Sequence, residues 1–273
     1  MKLSVSVFGA ATAMAFLGHA NANSSYLGTC ASNIVESLTN LLQNGKASLN
    51  FGQCTKDNSG NGYSAGIINF STGNGDAWQV VKLYMHSTGY GGEFDAYTDD
   101  IDTYASNGSG SSTSGLSGFC PAWEKAANST SNYIFFECQD DVLNSNYFSP
   151  AMTASNGLGI KFDVTKAAIL DSAIVDGPGD DSSSLGGIMV AVANSINGTM
   201  TGNSGNSVMI YGKYHVDEIV WLKLFLQQRE KVNPSDKPNV ASYNYIIANN
   251  PYNWDSSIVA LDSSGDKQTI SCN

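Results

Sequence analysis

The sequence predicts a mainly helical chain with a minor β element. Three observations carry that prediction. Apolar residues recur at helical spacing in five separate segments. Strand-like alternation is weak and short wherever it occurs. Polar stretches rich in Gly, Ser and Asn separate the segments and can bury no core.

The first predicted helix covers residues 33–43, where Ile34, Leu38, Leu41 and Leu42 fall at i, i+4, i+7 and i+8. Asn33 with Glu36 three residues later has the form of a capping pair, the glutamate reaching back to the helix start. A polar, Gly-containing loop follows from Asn44 to Gly62, then a compact apolar segment, Ala65–Phe70, and a turn at Gly73–Asp76. Ala77–His86 is the second helix, with Trp78, Val81 and Met85 on one stripe. Ser106–Ser117 is almost entirely Ser, Gly and small polar residues and reads as a linker or mobile loop between lobes. Pro121–Cys138 is predicted helical. Ile160, Val164, Ala167, Ile174 and Val175 mark a further helix before Gly177. Asn194–Asn206 is a second Gly-rich loop. Val216–Lys231 is a long helix, apolar around much of its circumference and so expected to be buried.

Length and charge bound the function. The 273 residues suit one large domain or two lobes. Hydrophobic residues make up 42% of the chain, enough for a real core, so disorder is not expected. Asp and Glu number 24 against 13 Lys and Arg, a formal charge of −11. Such a surface neutralises no phosphate backbone, so nucleic acid is excluded as a partner, and an anionic membrane surface is disfavoured. A polycation fits it.

The N-terminus carries export features. Lys2 precedes an apolar run from Leu3 to Leu17, and Ala20-Asn21-Ala22 has the form of a cleavage site. Residues 1–22 are expected to be a signal peptide and 23–273 the mature, secreted, monomeric chain, with no membrane span. Sequons start at Asn23, Asn69, Asn107, Asn128 and Asn197. Five cysteines remain after cleavage, and proximity in sequence favours Cys120–Cys138 and Cys30–Cys54 as disulfides. The three histidines do not cluster and no CxxC or HExxH occurs, so neither a metal nor another cofactor is expected. No GxSxG, P-loop or GxGxxG motif is present.

One carboxylate stands out. Asp171 falls on the apolar stripe of its helix, where an unpaired charge costs several kcal/mol. Arg229 is the only arginine in the chain and lies near the end of the long buried helix. A bidentate Asp171–Arg229 pair would satisfy both.

Several segments together resemble the family 46 glycoside hydrolases, the chitosanases. Gly62-Tyr-Ser-Ala-Gly-Ile-Ile-Asn-Phe70, continuing through Thr72-Gly-Asn-Gly-Asp76, is similar to that family's GYTxGIIGF…TGTGD. Asn146-Tyr-Phe-Ser-Pro-Ala-Met152 resembles its YFDPA. Asp171–Asp181 followed by Leu185-Gly-Gly-Ile188 resembles its DAIVxHGPGND…FGGI. The blocks agree in order and spacing over 30–235. The resemblance implies a two-lobed, lysozyme-like domain with a central cleft, its N-terminal lobe holding the first helix and the 44–76 segment. It also implies endo-hydrolysis, with inversion, of β-1,4 bonds in chitosan, a cationic glucosamine polymer, without a cofactor.

Inverting hydrolysis needs an acid to protonate the leaving oxygen and a base to activate water from the opposite face. In the resembled family the acid is a Glu ending the first helix and the base an Asp in the loop motif GDGRGYT. Here Gln43 occupies the acid position and Ser59 the base position, while Asn61 and Thr55 replace that loop's Arg and a nearby Glu. An amide has no proton to give at a useful pKa. The alternative to an impaired hydrolase is therefore a protein that binds chitosan or a related cationic glycan without cutting it. Asp57, two residues from Ser59, is the leading substitute catalytic carboxylate. Glu36 lies about 10 Å up the helix from Gln43, at 1.5 Å per residue, and fits a capping role. Asp76 matches a family aspartate that binds the amino sugar, and also suits the N-cap of the helix from Ala77. Asp176, which replaces the family's His, forms with Asp180 and Asp181 either an acidic patch for ammonium groups or a solvated loop. Tyr63, Asp76, Asp176 and Asp180 are the expected substrate-binding residues.

Overall fold

The chain is described by a computed structural model covering residues 27–57, 62–90, 92–107, 112–196, 207–210, 214–249 and 252–272. The proposed signal peptide, the sequons at Asn23 and Asn197, and Ser59 with Asn61 lie outside these residues. Ten helices are described: α1 (Thr29–Asn44), α2 (Asp76–Thr88), α3 (Thr98–Asn107), α4 (Phe119–Ala127), α5 (Asn132–Leu143), α6 (Ser149–Leu158), α7 (Asp163–Asp176), α8 (Leu185–Ser195), α9 (Glu218–Val232) and α10 (Lys237–Asn249). Three small antiparallel sheets accompany them: β1 (Cys54–Lys56), β2 (Tyr63–Ala65) and β3 (Phe70–Ser71); β4 (Ser207–Ile210) with β5 (Tyr214–Asp217); and β6 (Ile258–Leu261) with β7 (Lys267–Ile270).

α1 begins earlier than the periodicity predicts. Leu27 and Ala31 are buried, so one more turn brings apolar surface into the core. Asn33 and Glu36 therefore lie inside the helix, Gly28 is the cap, and the predicted capping pair does not form. Ile34, Leu38 and Leu41 are fully buried, and Gly45 ends the helix in the left-handed region, its N–H donating to Leu41 O at 2.8 Å. α1 packs on α7 and on β7, so it bridges to the C-terminal half rather than belonging to an N-terminal lobe alone.

Around α1 the elements form two groups. The three-stranded sheet and α2–α5 enclose an aromatic core of Phe94, Phe119, Trp123 and Phe135. α6–α10 with the C-terminal hairpin pack around α7, on which Val164, Ala167, Ala168, Ile169, Leu170 and Ala173 are all buried. The predicted helix over 121–138 is two helices, broken at Asn128–Ser131, whose side chains compete for backbone hydrogen bonds. The predicted 216–231 helix starts at Glu218 because Asp217 caps it, accepting from Ile219 N at 3.0 Å and Val220 N at 3.1 Å, while Val216 pairs with Val208 in the β4–β5 hairpin.

The disulfides are Cys30–Cys272 and Cys54–Cys120, and Cys138 is free and buried. Neither pairing favoured by sequence proximity occurs. α5 turns the Cys138 side chain into the core, while β1 carries Cys54 against α4, where Cys120 lies.

Candidate functional site

The C-terminal end of α1 is held by a network of amides. Asn44 Nδ2 donates to Asn40 Oδ1 at 2.7 Å and to Ile67 O at 3.0 Å, and Asn44 Oδ1 accepts from Gln53 Nε2 at 2.7 Å. Asn69 Nδ2 donates to Gln43 O at 2.7 Å. Asn69 has φ 61°, a left-handed conformation that asparagine tolerates better than most residues. Its side-chain nitrogen is thus engaged in the fold rather than presented as a glycan acceptor. Gly66, at φ 72°, is required twice over: a Cβ there would stand 2.2 Å from Gln139 Oε1. These contacts fix the 44–76 segment against the end of α1.

Gln43 stands at that end, half-buried, and its Nε2 donates to Asp171 Oδ1 at 3.2 Å. Asp171 is fully buried on α7. Arg229 Nη1 lies 2.5 Å from Asp171 Oδ2, and both side chains have no exposure. The contact is single rather than bidentate, because the Nε edge of the guanidinium serves Asp176 Oδ2 at 3.0 Å and Asp236 Oδ2 at 2.8 Å. Asn239 Nδ2 donates to both oxygens of Asp171 at 3.2 Å, and Asn233 Nδ2 to Asp176 and Asp236. Arg229 Nη2 is buried without a hydrogen-bond partner.

One guanidinium faces three carboxylates in this cluster. Burial pushes the Asp236 carboxyl up to about 7; Arg229 pulls it back, and the neighbouring Asp176 and Asp171 carboxylates add to the rise. A proton on Asp236 reduces an excess of negative charge that the interior does not tolerate.

Asp176 is therefore not part of an acidic surface patch. Its side chain is 1% exposed, bonded to Arg229 and accepting from Ser172 Oγ at 2.7 Å. The α7 helix continues to Asp176 and turns its last residue inward, onto the guanidinium. Asp180 and Asp181 are exposed. Asp181 is bound locally: the hydroxyls of Ser183 and Ser184 and the Ser183 N–H hold its carboxyl down at about 2. It thereby orders the turn ahead of α8.

Asp57 follows β1, and its N–H donates to Gly62 O at 2.8 Å, continuing the β1–β2 hairpin. By strand alternation it shares a face with Thr55, opposite the face on which Cys54 bonds Cys120. Tyr63 pairs with Lys56 and packs on Phe119, with ring centroids 5.7 Å apart. Asp76 is the first residue of α2 rather than its cap, which is Gly75. The Asp76 carboxylate is nearly buried, accepting from Asn74 Nδ2 at 2.8 Å, Asn146 Nδ2 at 3.1 Å and the Tyr147 hydroxyl. Burial raises its pKa, and those three donors oppose the rise. Glu36 faces Asp140 of α5 and raises that carboxyl, which burial already pushes up.

Gln43, Asp171, Asp176 and Arg229 thus come together. Asp236, Asn233 and Asn239 complete the cluster and were missed by sequence reasoning, since they fall in and beside the C-terminal segment where no motif matched. The signal that was there is charge balance: a lone buried arginine paired with one aspartate on a stripe leaves two donor edges to satisfy.

The sequence profile of glycosyl hydrolase family 46 matches residues 37–243. A chitosanase of Bacillus subtilis (strain 168) is 30% identical over 203 residues, which are 74% of this chain and 67% of that protein. A Streptomyces chitosanase is 32% identical over 129 residues, 47% of this chain and 44% of that protein. Among solved structures, the native chitosanase of Bacillus subtilis MY002 superposes with a TM-score of 0.77 at 26% identity, covering 89% of this chain and 99% of that one. A mutant of that enzyme complexed with 6 GlcN superposes equally well. The fold is accordingly the lysozyme-like one, mainly helical with small antiparallel sheets.

Proposed function

The chain belongs to glycosyl hydrolase family 46, and from that membership we propose a chitosan-directed glycoside hydrolase whose bond-cleaving step is slowed at its acid. The observation that carries the slowing is the Gln43 amide, hydrogen-bonded to Asp171 at 3.2 Å where the resembled enzymes place a glutamic acid. Cleavage of an acetal needs a proton on the leaving oxygen, and an amide supplies none. Losing one general acid or base costs about 10²–10⁴ in rate.

The remaining assignments follow from the same reading. Asp57, just after β1, is the carboxylate we place as water activator for residual turnover, since a serine hydroxyl at position 59 is too weak a base to activate water unaided. Tyr63 and Asp76 wall the substrate groove, and Asp180 offers an exposed carboxylate to a sugar ammonium. The net charge of −11 suits a cationic polymer. Export of the chain is supported by its two disulfides and by residues 1–22. Among the described residues no helix is long and apolar enough to cross a membrane.

Two measurements on the full mature chain test the reading: release of reducing ends from chitosan, and binding of a glucosamine hexasaccharide. Slow release with clear binding is the expected result. Turnover matching that of ordinary family members refutes the slowed acid. Binding with no product at all favours the non-catalytic alternative, and no binding of either ligand removes chitosan as the partner.

A further inference from the structure

An open hollow of about 400 Å³ is lined by Trp78, Lys82, Met85, Tyr90, Asp95 and Thr98, between α2, the 3₁₀ turn Asp95–Tyr97 and the start of α3. Trp78 stands two residues, or about 200° of helix rotation, from Asp76. The hollow therefore opens on the face of α2 turned away from the Asp76–Tyr147 contact.

Its chemistry is specific. Tyr90 is 79% exposed, so its ring face is open to a ligand. The Trp78 indole is fixed in orientation, its Nε1 donating to Asp102 Oδ1 at 2.6 Å. Lys82 Nζ rests 5.2 Å from the centre of that indole, a cation held against an aromatic face. Asp95 lines the hollow, Asp102 holds the indole beside it, and residues 93–102 carry no basic side chain. A fitting ligand has a ring face to lie on the aromatics and a positive charge for Asp95. The Lys82 ammonium already occupies one cation position.

We infer that this hollow is a second, non-catalytic binding surface for a cationic amino-sugar polymer, gripping chitosan outside the groove beside Gln43. The inference rests on the chitosan reading and adds a place and a set of residues to it. The C–H faces of the sugar chairs pack against the Trp78 and Tyr90 rings, burying apolar surface on both sides, and a sugar ammonium takes the place of Lys82 beside Asp95.

The test compares adsorption of the full mature chain to insoluble chitosan with its binding of a soluble glucosamine hexasaccharide. The Trp78→Ala/Tyr90→Ala variant is expected to lose at least tenfold in affinity for the polymer while still binding the hexasaccharide in the groove. Lys82→Ala removes a competing ammonium and is expected to tighten polymer adsorption two- to threefold, a gain that no merely structural role predicts. Tyr90 and Lys82 are exposed, so Tyr90→Ala and Lys82→Ala keep the test decisive should loss of Trp78 unfold the chain. Polymer adsorption unchanged in all three variants, with hexasaccharide binding intact, overturns this inference and leaves the function standing. A wild-type chain that binds neither ligand overturns both.

Discussion

Placing carboxyls at positions 43 and 59 is the perturbation that most directly probes the proposed chemistry. In Gln43→Glu the new carboxyl occupies the place of the amide, 3.2 Å from Asp171 Oδ1. Two full charges at that distance repel by roughly 5 kcal/mol at an effective dielectric constant of 20. Arg229, bonded to the other oxygen of Asp171, offsets part of this. The sign of the remainder is fixed: the new carboxyl keeps its proton to a higher pH than a free glutamic acid, near 4.3. That is the state a general acid needs, and the hydrogen bond to Asp171 survives, with O–H donating in place of N–H. Gln43→Glu alone is expected to raise reducing-end release by about 10² or more, and Gln43→Glu/Ser59→Asp further, within the 10²–10⁴ that one acid or base contributes. The activity gained should fall as pH rises through the pKa of the new acid. Stability should fall across the same window, because a carboxyl with a raised folded-state pKa takes up a proton on folding. The assay is steady-state release of reducing ends between pH 4 and 8, beside hexasaccharide binding. A double variant that folds, binds the oligosaccharide and gains no rate refutes the placement of Gln43 at the acid position.

Three further outcomes are expected. Asp76, Asp140, Glu218 and Asp236 all have raised carboxyls with burial as the leading cause, so stability should decline as pH rises from near 4, for Asp236 up to about 7. Asp181 and Asp262 are lowered by hydrogen bonds and act in the opposite sense, only as pH falls below the ordinary carboxylate value. The melting temperature is thus higher at pH 5 than at pH 8, and Asp236→Asn flattens the slope; a rise between those pH values contradicts the burial argument. Arg229→Met strands three buried carboxylates and should cost about 3–5 kcal/mol in chemical denaturation, whereas a loss below 1 kcal/mol would show that the cluster is solvated. Cys30–Cys272 closes 242 residues and Cys54–Cys120 closes 66, for which chain entropy gives roughly 5 and 4 kcal/mol. Non-reducing peptide mapping should recover those two pairs, with Cys138 alkylated only after unfolding, and a Cys120–Cys138 peptide would overturn the connectivity.

Helices α1, α2, α7 and α9 were legible in the sequence because apolar residues recur in them at helical spacing, whereas α3, α6, α8 and α10 were not read as helices. Their ends were less legible, for local reasons. Asp217 caps α9 two residues into the predicted run, and Leu27 draws α1 back by a turn. The disulfides were not legible, since connectivity depends on which elements meet, and Cys272 reaches Cys30 only after the C-terminal hairpin docks beside α1. The lone arginine and the aspartate on the α7 stripe drew attention because each is costly to bury. The residues that balance them, Asn233, Asp236 and Asn239, carry no such mark. They become identifiable only once α10 folds back on α7.

On the proposed reading, an amide at position 43 separates the scaffold of a catalytic site from its chemistry. A buried Asp171 presents two oxygens, and both are engaged: Oδ2 by Arg229 and Asn239, Oδ1 by Gln43 and Asn239. A protonated glutamic acid at position 43 would give Oδ1 an O–H donor. Glutamine has nearly the same shape and gives it an N–H donor. Alanine would give it nothing, and a buried carboxylate oxygen that loses a donor costs about 1–3 kcal/mol. The end of α1 must place a donor over Asp171 whether or not the chain cleaves anything, because the three-carboxylate cluster around Arg229 already holds all the negative charge it can accommodate. That requirement is structural and is met equally by an acid or its amide. Proton transfer is an additional demand that only the acid meets, so a chain can lose it while the helix end and the amide network stay in place.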